Sequence, residues 1–133
     1  MSHQLVQVKD VINNSFHMVD GRITVLEAMK IAKEHNCDAL IIEKRHDHDE
    51  FGLVLLSDIA KKVISKDRAP DRVNVYEIMA KPVISVQPDM DVRYCARLFE
   101  NFGLSKAPVI SGDKVLGMVG YEDIVLKGIF HQD

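Results

Sequence analysis

Gly52-Leu-Val-Leu-Leu-Ser-Asp58-Ile59 and Gly117-Met-Val-Gly-Tyr-Glu-Asp123-Ile124 carry one pattern, an apolar strand that leads into an acidic helix start. The two stretches lie 65 residues apart (117 − 52). A pattern repeated at a fixed spacing indicates supersecondary units that cannot bury their apolar faces alone and therefore pack against each other. We predict a tandem duplication whose function lies between the two copies.

The duplication extends upstream into one helix of each copy. Apolar residues keep helical spacing at Val25, Ala28, Met29 and Ala32, and again at Val92, Cys95, Ala96 and Phe99. These positions are 67 residues apart (92 − 25), so the hairpin of the first copy is two residues longer. We place the first repeat at residues 8–65 and the second at 74–130, with a polar, proline-containing linker at 66–73.

The composition limits the class of protein. With 133 residues, 47% of them hydrophobic and 28% charged, the chain has the makeup of a soluble globular protein. Its formal net charge of −3 offers no basic face, so we expect neither a nucleic-acid nor a membrane partner. No apolar run has membrane-spanning length and no leader is recognisable, which favours the cytoplasm. Cys37 and Cys95 lack a C-x-x-C spacing and are predicted to be reduced core residues.

The spacing of apolar residues, together with capping residues and glycines, predicts two similar sets of helices and strands. The capping box Thr24-Val-Leu-Glu27 starts a helix that continues toward His35. Ser57 is the predicted N-cap of the next helix, with Asp58 in its first turn. The remaining predicted elements are strands at 38–43 and 51–56, a helix at 91–102 closed by Gly103, strands at 106–110 and 115–119, and a last helix at 121–130.

These motifs together resemble a known family. Each copy ends in Gly-h-h-x-x-x-Asp-h (h apolar), Ala107-Pro108-Val109-Ile110 precedes the last hairpin, and Ile78-Met79 precedes Lys81-Pro82-Val83. Over roughly residues 8–130 the chain resembles a pair of cystathionine-β-synthase (CBS) domains, the tandem unit called a Bateman module. The resemblance implies an α/β (α+β) fold of two β-α-β-β-α repeats, related by a pseudo-two-fold axis and packed through their sheets.

The resemblance also implies a function. Such modules bind adenosine-containing ligands (AMP, ADP, ATP, S-adenosylmethionine or NAD(H)) in clefts between the repeats, need no cofactor, and form homodimers that signal to an effector protein, which nothing in this sequence identifies. They do no chemistry themselves. In the family pattern the motif aspartate accepts hydrogen bonds from the ribose hydroxyls, because its two oxygens suit two adjacent hydroxyls. Asp58 and Asp123 hold that position.

The other candidate residues follow from the same pattern. The adenine is expected beside the segment before each first helix, and Lys106 matches a basic family position that could neutralise a phosphate. Leu55 and Gly120 stand where the family has a hydroxyl. Ser57 could supply a hydroxyl at the first site, whereas the matching Glu122 would repel a phosphate at the second, so the two sites are expected to differ. The full set is Phe16, His17, Leu55, Ser57 and Asp58 in the first copy, and Lys81, Pro82, Val83, Ile84, Ser85, Lys106, Ala107, Pro108, Gly120 and Asp123 around the second.

Plainer interpretations stay open at each of these positions. Asp58 and Asp123 could simply stabilise helix N-termini, and Lys106 could be a solvated strand residue. The run His46-Asp47-His48-Asp49-Glu50 offers zinc or nickel ligands, but a charged hairpin tip exposed to water lacks a supporting shell. Two further classes of function remain: a structural interaction module with decayed clefts, and an enzyme, for which the chain offers no nucleophile with a base.

Overall fold

The structure, a computed structural model, describes residues 5–129. These residues group into two compact units. Residues 15–83 form the first, here called the middle unit, and residues 5–14 with 84–129 form the second, here called the split unit. Both units combine helices with a small sheet, and the α+β class is confirmed.

The middle unit contains the elements of the first copy. They are β1 (Phe16–Val19), α1 (Val25–Glu34), β2 (Ala39–Ile42), β3 (Gly52–Leu55) and α2 (Leu56–Ile59), which continues as a π-helical turn at Ala60–Ile64. Two 3-10 turns follow, at Pro70–Arg72 and Val75–Glu77. β1 runs parallel to β2, and β3 is antiparallel to β2. On β3, Leu53 also forms an antiparallel bridge with Ala80.

The split unit repeats this arrangement with the second copy. Its elements are a 3-10 turn at Val8–Asp10, α3 (Val92–Phe102), β4 (Lys106–Ser111), β5 (Lys114–Gly120) and α4 (Tyr121–Asp123), which continues as a π-helical turn at Ile124–Ile129. β4 and β5 are antiparallel. Val86 forms a parallel bridge with Val109 of β4, and Asn13 forms an antiparallel bridge with Met118 of β5.

Each unit is completed by the segment that precedes the other copy in the sequence. Ala80 beside β3 corresponds to Asn13 beside β5, at the 67-residue offset (80 − 13) of the upstream parts. Residues 5–14 therefore pack with the second copy, and residues 70–83 with the first. Both segments pair with a strand edge that would otherwise expose its backbone groups. The predicted repeats at 8–65 and 74–130 describe similarity in sequence. The compact units have different boundaries, after residues 14 and 83.

Each unit has its own apolar core. In the middle unit Val25, Ala28 and Ala32 of α1 are buried against the sheet, as their spacing predicts. The split unit buries Cys95 and Phe99 of α3 in the same way. Burial of such side chains is the main stabilising contribution, worth about 25 cal/mol per Å² of apolar surface.

The helix ends mostly follow the predicted chemistry. The Thr24 Oγ1 accepts a hydrogen bond from the Glu27 amide at 3.1 Å, while the Glu27 carboxylate accepts from the Thr24 hydroxyl at 3.2 Å. Asp91 caps α3 by accepting from the Arg93 amide at 2.8 Å. Gly103 adopts the predicted left-handed conformation, with φ of 65°. The four predicted strands are present, with bounds that shift by one residue at most.

The prediction that Ser57 is an N-cap is wrong. α2 begins at Leu56, and Leu55 is its N-cap residue. The reason is that Asp58 accepts a hydrogen bond from the Leu55 amide at 2.8 Å, which starts the helix one turn before the carboxylate. The predicted end of the last helix, Phe130, lies outside the described residues.

Candidate functional site

Asp123 is held on all sides by its own unit. Its Oδ2 accepts hydrogen bonds from the Gly120 amide at 2.9 Å and from the Asn13 Nδ2 at 2.7 Å. Its Oδ1 forms an ion pair with the Lys127 Nζ at 2.9 Å. The residue is 4% exposed. Both carboxylate oxygens are thus engaged in contacts that fasten the residues 5–14 segment to the start of α4.

Asp58 lies at the equivalent place in the middle unit but has fewer contacts. Within residues 5–129, the Leu55 amide is the one hydrogen-bond partner of its carboxylate, at 2.8 Å from Oδ2. Lys62 matches Lys127 in sequence, yet its Nζ donates to the Ile78 carbonyl oxygen at 3.0 Å. Asp58 is partly buried rather than enclosed. Its Oδ1 can therefore accept hydrogen bonds from a bound molecule.

One residue explains much of this difference between the two aspartates. The position of Asn13, whose amide reaches Asp123, is occupied by Ala80 in the middle unit. A methyl side chain cannot donate a hydrogen bond. The sequence reasoning missed Asn13 because it lies 110 residues from Asp123 in the chain. Its signal was the offset of 67 that aligns residues 13 and 80 (80 − 13).

Phe16 and Leu55 lie at the same end of the middle sheet as Asp58. Phe16 pairs with Ala39, and Ala39 pairs with Leu55, so all three share one register row. Ser57 is exposed in the first turn of α2. This end of the sheet combines one available carboxylate oxygen with partly buried apolar side chains. That combination suits a ligand in which a hydroxyl-bearing ring is attached to a flat aromatic base.

His17 follows Phe16 on β1. Successive side chains of a strand point to opposite faces, so His17 and Phe16 do not share a face of the sheet. The His17 ring stacks on the ring of His35, which follows α1, with centroids 3.9 Å apart and planes at 18°. Its role in ligand binding stays a prediction.

The candidates of the split unit also gather at one end of their sheet. Lys106 pairs with Gly120 in the first register row of β4 and β5, next to Asp123. The Val86 amide donates to the Pro108 carbonyl oxygen at 3.0 Å, which brings Ile84 and Ser85 alongside β4. Ala107 and Pro108 are buried. This end of the sheet therefore offers chiefly backbone groups and the Lys106 side chain.

The predicted base-binding segment at 81–85 divides between the two units. Lys81, Pro82 and Val83 belong to the middle unit, while Ile84 and Ser85 belong to the split unit. The Lys81 Nζ forms an ion pair with Asp49 Oδ1 at 2.8 Å. Lys81 is therefore tied to the hairpin that follows β2.

The tip of this hairpin is exposed at residues 46–48 and at Glu50, as the sequence suggested, but Asp49 between them is buried and anchors the hairpin. Asp49 is 9% exposed. Its Oδ2 accepts from the Arg45 amide at 2.9 Å and from the Arg45 Nε at 3.0 Å, in addition to the contacts with Lys81. The Arg45 guanidinium first, and then the Lys81 ammonium, hold the pKa of the Asp49 carboxyl far below its usual range. In residues 5–129, no three His, Cys, Asp or Glu side chains are arranged to hold a metal ion.

Comparisons with known proteins point to one family. A family model described as the CBS domain matches residues 75–128. The solved structure of a hexameric CBS-CP12 protein from bloom-forming cyanobacteria is 38% identical, with a TM-score of 0.90 over 96% of this chain and 73% of that chain. The CBS domain pair of protein MJ0100, in complex with 5′-methylthioadenosine and S-adenosyl-L-methionine, is 29% identical, with a TM-score of 0.77 over 94% of this chain and 98% of that chain.

A curated relative adds a length comparison. An uncharacterized protein of Methanopyrus kandleri is 30% identical over 103 residues, which are 77% of this chain and 52% of that protein. The chain thus spans about half the length of that curated relative. Among residues 5–129, no helix has the length and apolar character needed to cross a membrane.

Proposed function

This chain belongs to the CBS-domain family, and on that premise we propose that it is a regulatory module that binds an adenosine-containing small molecule, with Asp58 as the acceptor of the ribose hydroxyls. The observation that carries the proposal is the open Oδ1 of Asp58 beside Phe16 and Leu55. We assign Asp123 a structural role in the same protein. The module performs no reaction in this proposal.

The chemistry of the ribose supports the choice of Asp58. Two adjacent hydroxyls donate well to a carboxylate, and hydrogen bonds to a charged acceptor are worth about 1.5 to 3 kcal/mol each. Asp123 would first have to release Asn13 or Lys127, with which it makes contacts of 2.7 and 2.9 Å. Releasing those partners would leave buried polar groups unsatisfied, at a cost of about 1 to 3 kcal/mol for each group. One ligand per chain is therefore expected.

The choice of ligand class rests on a relative. Protein MJ0100, 29% identical over 94% of this chain, was crystallised with 5′-methylthioadenosine and S-adenosyl-L-methionine. These two molecules share the adenine and the ribose and differ in the groups attached to the sulfur at the 5′ carbon. We therefore propose that this chain recognises the adenosine part, and we regard AMP, ADP, ATP, S-adenosylmethionine and NAD(H) as the ligands to test.

A second function is favoured by one surface. Tyr121, Val125, Leu126 and Ile129 on the last helix are 41%, 51%, 61% and 51% exposed. Tyr121, Val125 and Ile129 are four residues apart and therefore lie on one side of that helix. An exposed apolar row of this kind is typical of a protein interface. The alternative is therefore a structural module that forms a homodimer, or binds an effector protein, without a nucleotide.

Thermal melting with each ligand separates the two functions, because a ligand that binds only the folded state raises its stability. We expect at least one adenosine compound to raise the melting temperature, and isothermal titration to give about one site per chain that depends on Asp58. Asp58→Asn should weaken that binding about tenfold or more, since one charge-assisted hydrogen bond is lost. If no compound changes the melting temperature, the structural alternative is favoured.

The matched control is Asp123→Asn. This variant should melt at a lower temperature because it disturbs a buried, fully bonded carboxylate, while the folded fraction keeps its ligand affinity. The proposal fails if Asp58→Asn binds as well as the unsubstituted chain, or if the two variants exchange these phenotypes.

A further inference from the structure

The middle unit contains a hollow of about 760 Å³ that is remote from Asp58. Its lining combines four cationic side chains, two carboxylates and three apolar or aromatic side chains: Arg22, Lys44, Arg45 and Lys81; Asp20 and Glu43; and Ile42, Tyr76 and Met79. Ile42 is the last residue of β2, whereas Asp58 binds Leu55 opposite Ala39, the first residue of β2. The two places are thus separated by the length of the strand, about 10 Å at 3.3 Å per residue.

The hairpin between β2 and β3 builds one wall of this hollow. Asp49 holds the hairpin in place through ion pairs with Arg45 and Lys81. The Arg45 Nε is occupied by this contact, and within residues 5–129 no acceptor binds its terminal nitrogens. Its side chain is 76% exposed. The free edge of the guanidinium can therefore bind an anion in the hollow.

Arg22 provides a second guanidinium on the rim. Its Nε and Nη2 bind the two oxygens of Asp20 at 3.0 and 2.8 Å, which fixes the orientation of the group. The side-chain hydrogen bond from Arg22 lowers the pKa of Asp20 to about 2, so this pair stays charged at neutral pH. A guanidinium held in this way loses little freedom when it also binds a ligand.

The apolar part of the lining is suited to a ring. Tyr76 is 53% exposed and offers most of the apolar surface, whereas Ile42, which also lines the hollow, is 3% exposed. The Tyr76 amide donates to the Gly21 carbonyl oxygen at 3.1 Å, which holds the 3-10 turn beside the loop after β1. A Cβ at Gly21 would lie 3.1 Å from the Ile42 Cγ2, so the loop packs closely on the strand. Exposed tyrosine rings of this kind stack well on other rings.

This combination of side chains occurs in only one of the two copies. At the 67-residue offset of the upstream parts, Arg22 corresponds to Asp89 (89 − 22), and Lys9 and Asn14 stand where the middle unit has Tyr76 and Lys81. The longer hairpin is also specific to the first copy. The lining of the hollow therefore differs between the copies, and it does not include the motif aspartates that the two copies share.

We propose that this hollow binds a small aromatic or heterocyclic anion, with its ring on Tyr76 and Ile42 and its phosphate or carboxylate at Arg45 and Arg22. The volume lies within the 300 to 1,000 Å³ that is common for small-molecule sites. Guanidinium groups bind phosphate and carboxylate with paired hydrogen bonds. This site is separate from the one proposed at Asp58, and both can be occupied in one chain.

The test uses phenyl phosphate as the probe and ¹H–¹⁵N NMR of the whole chain in a buffer free of phosphate. We expect saturable shifts for the amides of Gly21, Arg22, Arg45 and Tyr76. Phenol and inorganic phosphate should each bind more weakly, because phenol has the ring without the phosphate and inorganic phosphate has the anion without the ring. Asp58→Asn should leave these shifts unchanged, which separates this site from the proposed nucleotide site.

Two variants test the cationic rim. Arg45→Gln and Arg22→Gln should each weaken phenyl phosphate binding about threefold to tenfold. Arg22→Gln does not touch Asp49, so it tests the rim without disturbing the hairpin, and the exposed Arg72→Gln serves as the control. The proposal is overturned if no saturable shifts occur at these amides, if inorganic phosphate binds as tightly as phenyl phosphate, or if both variants bind normally.

Discussion

Alanine at the two motif glycines should affect the two copies unequally. Gly52 and Gly117 hold the same place in the repeated pattern. A Cβ added at Gly117 would lie 2.8 Å from the Asn13 backbone oxygen. A Cβ added at Gly52 would lie 2.7 Å from the Met79 Sδ and 3.1 Å from the Ile42 Cβ. The distances of 2.8 and 2.7 Å are too short for real contacts, so in each case the neighbour must move.

The cost depends on which neighbour moves. The Met79 thioether ends a flexible side chain that can turn away. The Asn13 oxygen accepts from the Met118 amide at 2.9 Å, so moving it strains a backbone bridge. Overpacking costs about 1 to 3 kcal/mol, and each lost hydrogen bond about 1 kcal/mol. Alanine recovers about 0.5 to 1 kcal/mol of the penalty for glycine in a strand. Gly52→Ala should then destabilise by about 1 kcal/mol and Gly117→Ala by about 3 kcal/mol.

Calorimetric melting of both variants measures the difference. A gap of about 2 kcal/mol corresponds to a gap of about 6 °C or more in melting temperature for a chain of this size. Hydrogen exchange at the Met118 amide should also accelerate in Gly117→Ala. A Met79→Ala background should relieve Gly52→Ala, because the clashing sulfur is removed. If the two variants lose equal stability, or if Gly52→Ala loses more, the distinction between a rigid and a flexible neighbour is refuted.

Three further outcomes follow from contacts within the units. Ala80→Asn should place an amide where it can reach Asp58, as the corresponding residue does in the other copy, so nucleotide titration should show weaker binding while melting shows equal or higher stability. The pKa of Asp91 is lowered, chiefly by the hydrogen bond from Arg93, so the stability it contributes is present above about pH 4 and is lost as the pH falls further; the melting temperature of Asp91→Asn should change less between pH 5 and pH 2.5. Burial raises the pKa of Cys95 to about 11, so a thiol reagent at pH 8 should modify it only after denaturant is added.

The sequence was sufficient for features that depend on local spacing. The helical positions of Val25 and Ala28 predicted a buried face, and both residues are fully buried. The capping residue Thr24 and the left-handed Gly103 are also local, because each acts within one helical turn. The N-cap of α2 was misplaced by two residues (57 − 55) because Ser57 is a good N-cap in isolation, while the carboxylate that follows it binds the backbone more strongly.

Contacts between distant parts of the chain could not be predicted in this way. Asp49 lies in the most polar run of the sequence and was interpreted as solvated, yet it is buried between two cations. One of them, Lys81, is 32 residues away. No periodicity connects such residues, since the contact arises only when the segment before the second copy packs on the first. The two extra residues of the hairpin were the visible sign that this region differs.

The exchange of segments between the copies explains how duplicated aspartates could acquire different roles. Asp123 accepts a hydrogen bond from Asn13, which lies in the segment that precedes the first copy, whereas the corresponding residue before the second copy, Ala80, pairs with Leu53 of β3. A substitution in that segment changes the surroundings of one carboxylate and leaves the repeated motif intact. The Asn13 amide holds the Asp123 carboxylate in a structural contact, whereas the Ala80 methyl group has no hydrogen bond to donate to Asp58. The repeated motif therefore predicts where both acids lie, but the segment outside the motif determines which of them is available to a ligand.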